Sequence, residues 1–352
     1  MPQTDISVVI ITRGRVQTIS ACLQSILQSG FQPFEILVGI NGGDPLSMEA
    51  LSRFKGRVQA ILLPGLCRGE ARNNLAARAR GRWLCFLDDD TVLPEGYFSR
   101  LSALILRHQE AVVFGGGQTL SGEAGGFEKA VYALLGSSWG GGPFTERFAP
   151  VSGTRAAAAE KFILCNLTVD RLFLEERGLA FEGHLSSAEE NLLLNRMAAA
   201  GAGMVLSEDL NLVHRRRKRL SQFIRQVFSS GRGRAQITAL SPRGFAAFTL
   251  IPPAALVFAA AAAFFMPVLV LALSGAYLGV SLFFAVRLTG PLFLKCRVLA
   301  LFPILHTAYA CGWLFGLAEV ASGKILRRAR PLRCGCPENI CDITPGSGAG
   351  KS

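Results

Sequence analysis

The chain has 352 residues, half of them hydrophobic and only 18% charged, with a mean hydropathy of +0.35. That balance excludes an ordinary soluble enzyme and points to membrane segments. A formal net charge of +12 admits nucleic acid, anionic lipid or phosphorylated ligands as partners, and the position of the basic residues decides among them.

The first ninety residues alternate strand and helix signals. Ile6–Thr12 is a continuous β-branched run, as a strand buried on both faces should be. Helical spacing covers Gln17–Gln28 and ends before Gly30. Glu35–Ile40 reads as a second strand closed by Asn41-Gly42-Gly43, and Met48–Phe54 as a short helix. Val58–Leu63 is a third strand, Glu70–Ala79 a helix and Trp83–Leu87 a fourth strand. Repeated βα units predict an α/β fold with a mainly parallel sheet covered on both faces. In such sheets ligands lie beyond the carboxyl ends of the strands. Three of those ends are polar: Thr12-Arg13-Gly14-Arg15, Asn41-Gly42-Gly43-Asp44 and Asp88-Asp89-Asp90. The first turn lacks Gly-x-Gly-x-x-Gly, so a dinucleotide site is a poor reading. Further on, the spacing predicts a helix over Phe127–Leu135, a strand over Phe162–Val169 and a helix over Ser187–Ala200.

Composition then changes. Phe245–Val286 carries no charged residue, enough for two membrane spans joined by a tight turn. Val298–Ala318 is a third candidate, interrupted by Pro303 and His306. The basic residues from Arg215 to Arg243 abut the first span, which places the N-terminal domain in the cytoplasm, allows contact with lipid headgroups and makes a nucleic-acid face unnecessary. Arg287, Lys295 and Arg297, and again the basic tail, mark both ends of the third segment as cytoplasmic. A full third crossing breaks that rule, and a re-entrant or interfacial segment would obey it. Nine cysteines, most of them single within apolar runs, read as reduced core thiols and not as a disulfide framework. Met1–Asp5 shows no signal-peptide start, so the N-terminal domain is expected to stay in a reducing cytosol.

Asp88-Asp89-Asp90 follows an apolar strand. Adjacent carboxylates repel, and holding them together implies either a cation such as Mg²⁺ or Mn²⁺, bridging to phosphates, or a solvated turn leading to Pro94. Gly69-Glu70-Ala71-Arg72-Asn73 opens a helix and suits a phosphate, or is an ordinary helix start. Glu189-Glu190 could supply a general base, although Ser187-x-x-Glu190 also fits a capping box, which spacing alone slightly favours. His214 could ligate metal, although a lone histidine is more often structural. Gly346–Ser352 fails as a phosphate loop because Pro345 stands where glycine is needed and no helix follows. Cys334-x-Cys336-x₄-Cys341 lacks a clear fourth zinc ligand.

Taken in order, Ser7 to Arg15, Glu35-Ile36-Leu37-Val38, Gly69-x-Ala71-Arg72-Asn73, Gly81-x-Trp83-Leu84-x-Phe86-Leu87-Asp88-Asp89-Asp90, Glu189-Glu190, Arg196 and His214 resemble glycosyltransferase family 2 with the GT-A fold. The later part is similar to bacterial exopolysaccharide (succinoglycan-type) glucosyltransferases, through Gln226–Ala235 with its Gly-Arg-Gly-Arg and through His306-Thr307-Ala308-Tyr309-x-x-Gly312. The resemblance implies a Rossmann-like nucleotide-sugar domain over residues 1–235, a membrane region over 236–323 and a basic, cysteine-containing tail over 324–352. It implies that Thr12, Arg13, Arg15 and Asn41 line the nucleotide pocket, with Arg72 and Asn73 near the ribose or diphosphate and Asp89 on the nucleotide side. Asp88 and Asp90 would hold Mg²⁺ or Mn²⁺, His214 would close the site, and Glu190, or else Glu189, would be the base.

The activity so implied is inverting, metal-dependent transfer from a nucleotide-sugar, UDP-linked by preference, to a lipid-linked or saccharide acceptor at a bacterial inner membrane. Two alternatives are transfer to polyprenyl phosphate and a non-catalytic nucleotide-sugar-binding membrane protein. Processive synthesis with export is not expected, because Gln226 is followed by Val227-Phe228-Ser229-Ser230 in place of Gln-x-x-Arg-Trp. Asn41, where the family has paired aspartates, and Glu190, where it has aspartate, are the departures.

Overall fold

The computed structural model describes residues 5–30, 35–241 and 247–323. It begins with β1 (Ile6–Thr12), α1 (Val16–Leu27), β2 (Glu35–Asn41), α2 (Pro45–Ser52), β3 (Gln59–Leu63), α3 (Arg68–Ala76) and β4 (Trp83–Asp88). Then come β5 (Thr91–Val92), α4 (Tyr97–Arg107), β6 (Ala111–Gly115), β7 (Gln118–Thr119), α5 (Gly126–Gly136) and the single turn α6 (Ser138–Gly141). The domain closes with β8 (Thr154–Ala156), β9 (Asn166–Asp170), α7 (Arg171–Glu176), α8 (Glu189–Ala199), β10 (Gly203–Ser207) and β11 (Leu212–His214). Each element read from the first ninety residues is present, with its ends moved by a few residues. β9 starts later than its apolar run, because the Asn166 amide turns back to the Ile163 carbonyl.

The main sheet has the order β3-β2-β1-β4-β9-β6-β10-β8, and a small second sheet runs β5-β11-β7. β1 to β4 are parallel, and β9 enters antiparallel between β4 and β6. Strand alternation explains why the early strands are apolar throughout. Ile6, Val8 and Ile10 face α1 and α4, whereas Val9 and Leu37 face α3 and α8. Each such fully buried side chain contributes about 1.5–3 kcal/mol. At the opposite strand ends, Glu35 is buried and accepts from the Ser7 hydroxyl at 2.6 Å and the Arg80 amide at 2.6 Å. Gly81 fits there because a Cβ would stand 2.7 Å from Ser7 Oγ and 2.9 Å from the Asp5 carbonyl.

Four helices complete the described chain: α9 (Leu220–Leu240), α10 (Ile251–Phe265), α11 (Pro267–Arg287) and α12 (Leu292–Ala321). Ala247–Phe265, Pro267–Arg287 and Leu292–Ala321 are long and apolar enough to cross a membrane. The third candidate is longer than the sequence reading, running 30 residues straight through Pro303. At 1.5 Å per residue it measures about 45 Å, more than the ~30 Å of a hydrocarbon core. It is also the most covered of the three, because α9 and α5 pack along it.

Backbone meets backbone at the α9–α12 crossing. A Cβ on Gly231 would stand 2.1 Å from the Tyr309 carbonyl, and one on Gly312 would stand 2.0 Å from the Phe228 carbonyl. Small residues permit such close approach. A second joint ties α6 to the apolar helices. Trp139 Nε1 donates to Ser281 Oγ at 3.0 Å, His306 Nε2 donates to the Trp139 carbonyl at 3.0 Å, and Tyr277 lies 2.8 Å from His306 Nδ1. The cysteine-containing tail and the Gly346–Ser352 stretch lie outside the described residues.

Candidate active site

The carboxyl ends of β1, β2 and β4 open onto a cavity of about 780 Å³ that extends to Leu305 and Tyr309 on α12. Nine arginines and four carboxylates line it, so an anionic ligand suits its charge. Thr12, Arg13, Arg15, Asn41, Arg72, Asp88, Asp89, Glu189, Glu190 and His214 all line this cavity.

The three aspartates have three different surroundings. Asp88 is partly exposed and lies 3.4 Å from Arg72 Nη2. Asp89 accepts from Thr12 Oγ1 and Arg15 Nη1, each at 2.8 Å. Burial pushes its carboxyl up to about 6, against the pull of Arg15. Asp90 is 5% exposed and is not among the lining residues; it takes Arg15 at 2.8 Å, His214 Nε2 at 3.0 Å and Arg217 at 3.4 Å. Burial alone would raise Asp90, but His214 and the two arginines hold it well below the usual carboxylate range. Gln118 grips the other nitrogen of His214. Burial would lower His214, and the contacts with Cys165 and Asp90 reverse that and raise it. Asp88, Cys165 and His214 present ligand atoms within 4.8 Å of one another, a donor set that fits a divalent cation.

Arg72 is 5% exposed and bridges this cluster to α8, because its Nη1 donates to Glu189. Gly69 makes that possible: a Cβ there would stand 2.4 Å from the Glu182 carbonyl, so α3 starts directly against that backbone. Asn73 does not line the cavity; its amide donates to the Phe181 carbonyl at 2.8 Å and accepts from the Phe181 amide at 3.0 Å. Asn73 thus clamps the Phe181 backbone, away from the cavity where a ribose or diphosphate was expected. Asn41 lines the cavity, yet both ends of its amide hold the Leu66 backbone, at 2.7 and 2.8 Å.

The capping box does not form. Helix α8 starts at Glu189, and Ala188 takes a left-handed φ of 62°, the one positive φ outside glycine among the described residues. Ser187 Oγ donates instead to the Ser229 carbonyl of α9 at 2.7 Å. Ser186 and Gln236 make a second tie between the same segments. The strained turn aims both glutamates inward, where Glu190 is met by Arg147 and Asn191.

Several cavity residues were missed by sequence reasoning. Arg147 comes from a short 3-10 helix, Gly142–Phe148, that gave no periodic signal in the sequence. The Arg215–Arg219 run was read as marking the cytoplasmic side, with lipid headgroups as an allowed contact; in the structure Arg216 has its guanidinium 5.6 and 5.5 Å from the Tyr132 and Phe148 rings, and Arg217 turns to Asp90. A buried guanidinium is stabilised by ring faces. Arg234, noted only within Gly-Arg-Gly-Arg, stands over the Phe144 ring at 4.4 Å and makes no hydrogen bond or ion pair with any described residue. Burial and then Arg147 lower it to about 10.

Residues 7–153 match the family model described as Glycosyl transferase family 2. That stretch is similar to family 2 glycosyl transferase domains. The chain is similar in structure to the mannosyltransferase PcManGT from Pyrobaculum calidifontis, solved with GDP-Man and Mn²⁺, with a TM-score of 0.61, 14% identity, and 90% of this chain and 87% of that chain covered. It is also similar to S. aureus TarS 1–349 in complex with UDP-GlcNAc, with a TM-score of 0.50, 14% identity, and 91% and 92% covered. At those identities the likeness is one of fold, the GT-A glycosyltransferase fold. No curated protein matches the chain. The family 2 match accounts for the strand ends that carry Thr12, Asn41 and Asp88, whereas α8 and His214 lie beyond it.

Proposed function

We propose that this chain is an inverting, metal-dependent glycosyltransferase that moves a sugar from a nucleoside-diphosphate sugar to an acceptor at the membrane. The observation that carries the reading is convergence in one cavity. Asp88 and His214 face Arg72 and the two glutamates, and the same cavity is walled at its far end by an apolar helix of membrane-crossing length. PcManGT, whose structure holds GDP-Man and Mn²⁺, supports a nucleotide-sugar and a divalent ion for this fold.

Asp88 and His214 would hold the ion, which when bound supplies positive charge to the leaving diphosphate. Arg72, fixed by Glu189, adds a second cation at the same place and stabilises the departing group. Glu190 takes the proton from the acceptor hydroxyl as that oxygen attacks the anomeric carbon. Its neighbours Arg147 and Asn191 hold it at the cavity wall. Both glutamates carry an arginine partner, but that of Glu189 is Arg72, the residue assigned here to the leaving group, whereas Glu190 pairs with Arg147, so Glu190 is assigned as the base. Ser7 to Asp90 would face the cytoplasm of a bacterial cell, with the basic residues Arg287, Lys295 and Arg297 on the same side.

A second acceptor class is favoured by Arg234. Its guanidinium lies at the membrane end of the cavity without an ion-pair partner among the described residues, and the phosphate of a polyprenyl phosphate would supply one.

The test is transfer by the purified, detergent-solubilised protein with UDP- and GDP-sugars, Mn²⁺ or Mg²⁺, and polyprenyl-linked acceptors. Glu190→Gln and Asp88→Asn are expected to lower kcat about 10²–10⁴-fold. Unchanged turnover in Glu190→Gln overturns the assignment of the base. Absence of turnover with every donor, despite tight nucleotide binding, favours a non-catalytic nucleotide-sugar sensor.

A further inference from the structure

We infer that Cys165 is a thiolate ligand of the divalent metal, completing a set with Asp88 and His214, and that the site therefore favours Mn²⁺ over Mg²⁺. The inference rests on the metal-dependent reading above and extends it to a residue and an ion preference.

Strand pairing delivers all three groups. β9 runs antiparallel to β4 with Leu87 opposite Asn166, and Asp88 at the end of β4 and Cys165 just before β9 follow that last pair. β11 pairs with β5 so that His214 stands opposite Thr91, one residue past the aspartates. Asp88 and His214 thus come from strand ends, and Cys165 from the tight turn that the Asn166 amide closes onto the Ile163 carbonyl, a fixed backbone of the kind that a metal site needs. Their ligand atoms lie within 4.8 Å of one another. Metal–sulfur and metal–nitrogen bonds of about 2.3 and 2.0 Å would draw them together by roughly an ångström, within reach of side-chain rotation.

Cys165 is 1% exposed, yet it lines the cavity between Leu164 and the aspartates. Cys22 and Cys85 are equally buried, but both belong to the apolar core behind the sheet and neither lines the cavity. Around the cluster, Gln118 and Asp90 hold the two His214 nitrogens. Capture of metal by one nitrogen leaves the other partner in place, which is how histidine ligands are oriented. Mg²⁺ demands hard oxygen donors in a near-ideal octahedron, whereas a thiolate with an imidazole suits softer ions. A site built from one carboxylate, one imidazole and one thiolate therefore discriminates by ligand chemistry.

The experiment replaces the natural ion with Co²⁺, whose thiolate complexes absorb in the near ultraviolet. The full chain in detergent is titrated with Co²⁺ in the presence of UDP, and binding is followed in parallel by calorimetry. Wild type is expected to show a thiolate charge-transfer band. Cys165→Ser should lose it and bind Mn²⁺ at least about tenfold more weakly, while Cys22→Ser keeps both. Taking the difference between wild type and Cys165→Ser removes any contribution from the tail cysteines. Thermal unfolding checks that the variant is folded, and Cys165→Asp, which restores an anionic ligand, should recover Mn²⁺ affinity and gain Mg²⁺ affinity. Co²⁺ binding with no difference band overturns the thiolate ligand while leaving the metal-dependent transferase intact. No metal binding by calorimetry overturns that wider reading as well.

Discussion

Arg232 on α9 forks onto Glu319 on α12 through two hydrogen bonds of 2.6 Å, tying the last helix of the catalytic domain to an apolar helix of membrane-crossing length. Bidentate arginine–carboxylate pairs in partly buried settings are among the stronger polar contacts. Glu319→Ala is expected to lower stability in detergent by about 1–3 kcal/mol, because an arginine is left without its fork partner. Ser186 and Ser187 hang from the same α9, so turnover should fall by more than the folded fraction does. Thermal unfolding and a transfer assay on one preparation separate the two effects, and equal losses would show that α9 does not position the glutamates.

Gly312 and Gly279 make a matched pair. An added methyl at Gly312 meets the Phe228 carbonyl at 2.0 Å, and none is met within 4 Å at Gly279. Gly312→Ala should therefore destabilise the fold by about 2 kcal/mol or more by prising α9 from α12, in the range of overpacking costs. Gly279→Ala should be neutral or slightly stabilising, since alanine is the better helix former. Unfolding midpoints of the two variants, measured side by side, decide the matter.

Asn41 gives a test of donor recognition. Both ends of its amide hold Leu66, so Asn41→Ala should release the loop after β3 and weaken UDP and GDP alike. A direct contact with one base would instead alter the ratio of the two affinities. Calorimetric titration with both nucleotides distinguishes a common loss from a change of preference.

Glu35 carries a pH dependence that is independent of the active site. Burial would raise its carboxyl, but the amide and side chain of Arg80 and the Ser7 hydroxyl together hold it below the ordinary value. A carboxylate with a depressed folded value contributes stability above the unfolded value and loses it as pH falls through the folded value. Glu35→Gln should therefore be less stable than wild type by about 1–3 kcal/mol at pH 7, the worth of hydrogen bonds to a charged acceptor. That gap should close as pH drops below about 4. A gap constant across pH would mean that Glu35 acts only through its shape.

The parallel half of the sheet was legible because its physics is local. Ile6–Thr12 and Trp83–Leu87 are apolar on both faces, and a loop of polar residues must follow wherever such a strand ends. Asp88 and Arg72 could be found for that reason. Cys165 could not, because its meaning comes from the antiparallel register of β9 against β4, a pairing of residues far apart in the chain. Arg147 and Arg216 were hidden for a related reason, since aromatic rings and a carboxylate from distant segments determine where they point. The Ser187-x-x-Glu190 spacing was misleading because the hydroxyl found a better acceptor on α9, a competitor that no local pattern reveals.

Trp139 has a consequence for how the molecule works as a whole. With its indole hydrogen-bonded to Ser281 and its carbonyl to His306, it couples the glycine-rich turn at Gly140 and Gly141, part of the cavity wall, to α11 and α12. Tyr309 and Leu305 supply another part of that wall from α12 itself. The cavity is thus jointly owned by the α/β domain and by helices long and apolar enough to cross a membrane. If α12 crosses a bilayer as proposed, bilayer thickness, by setting how far that helix must lean, would become a mechanical input to the width of the cavity.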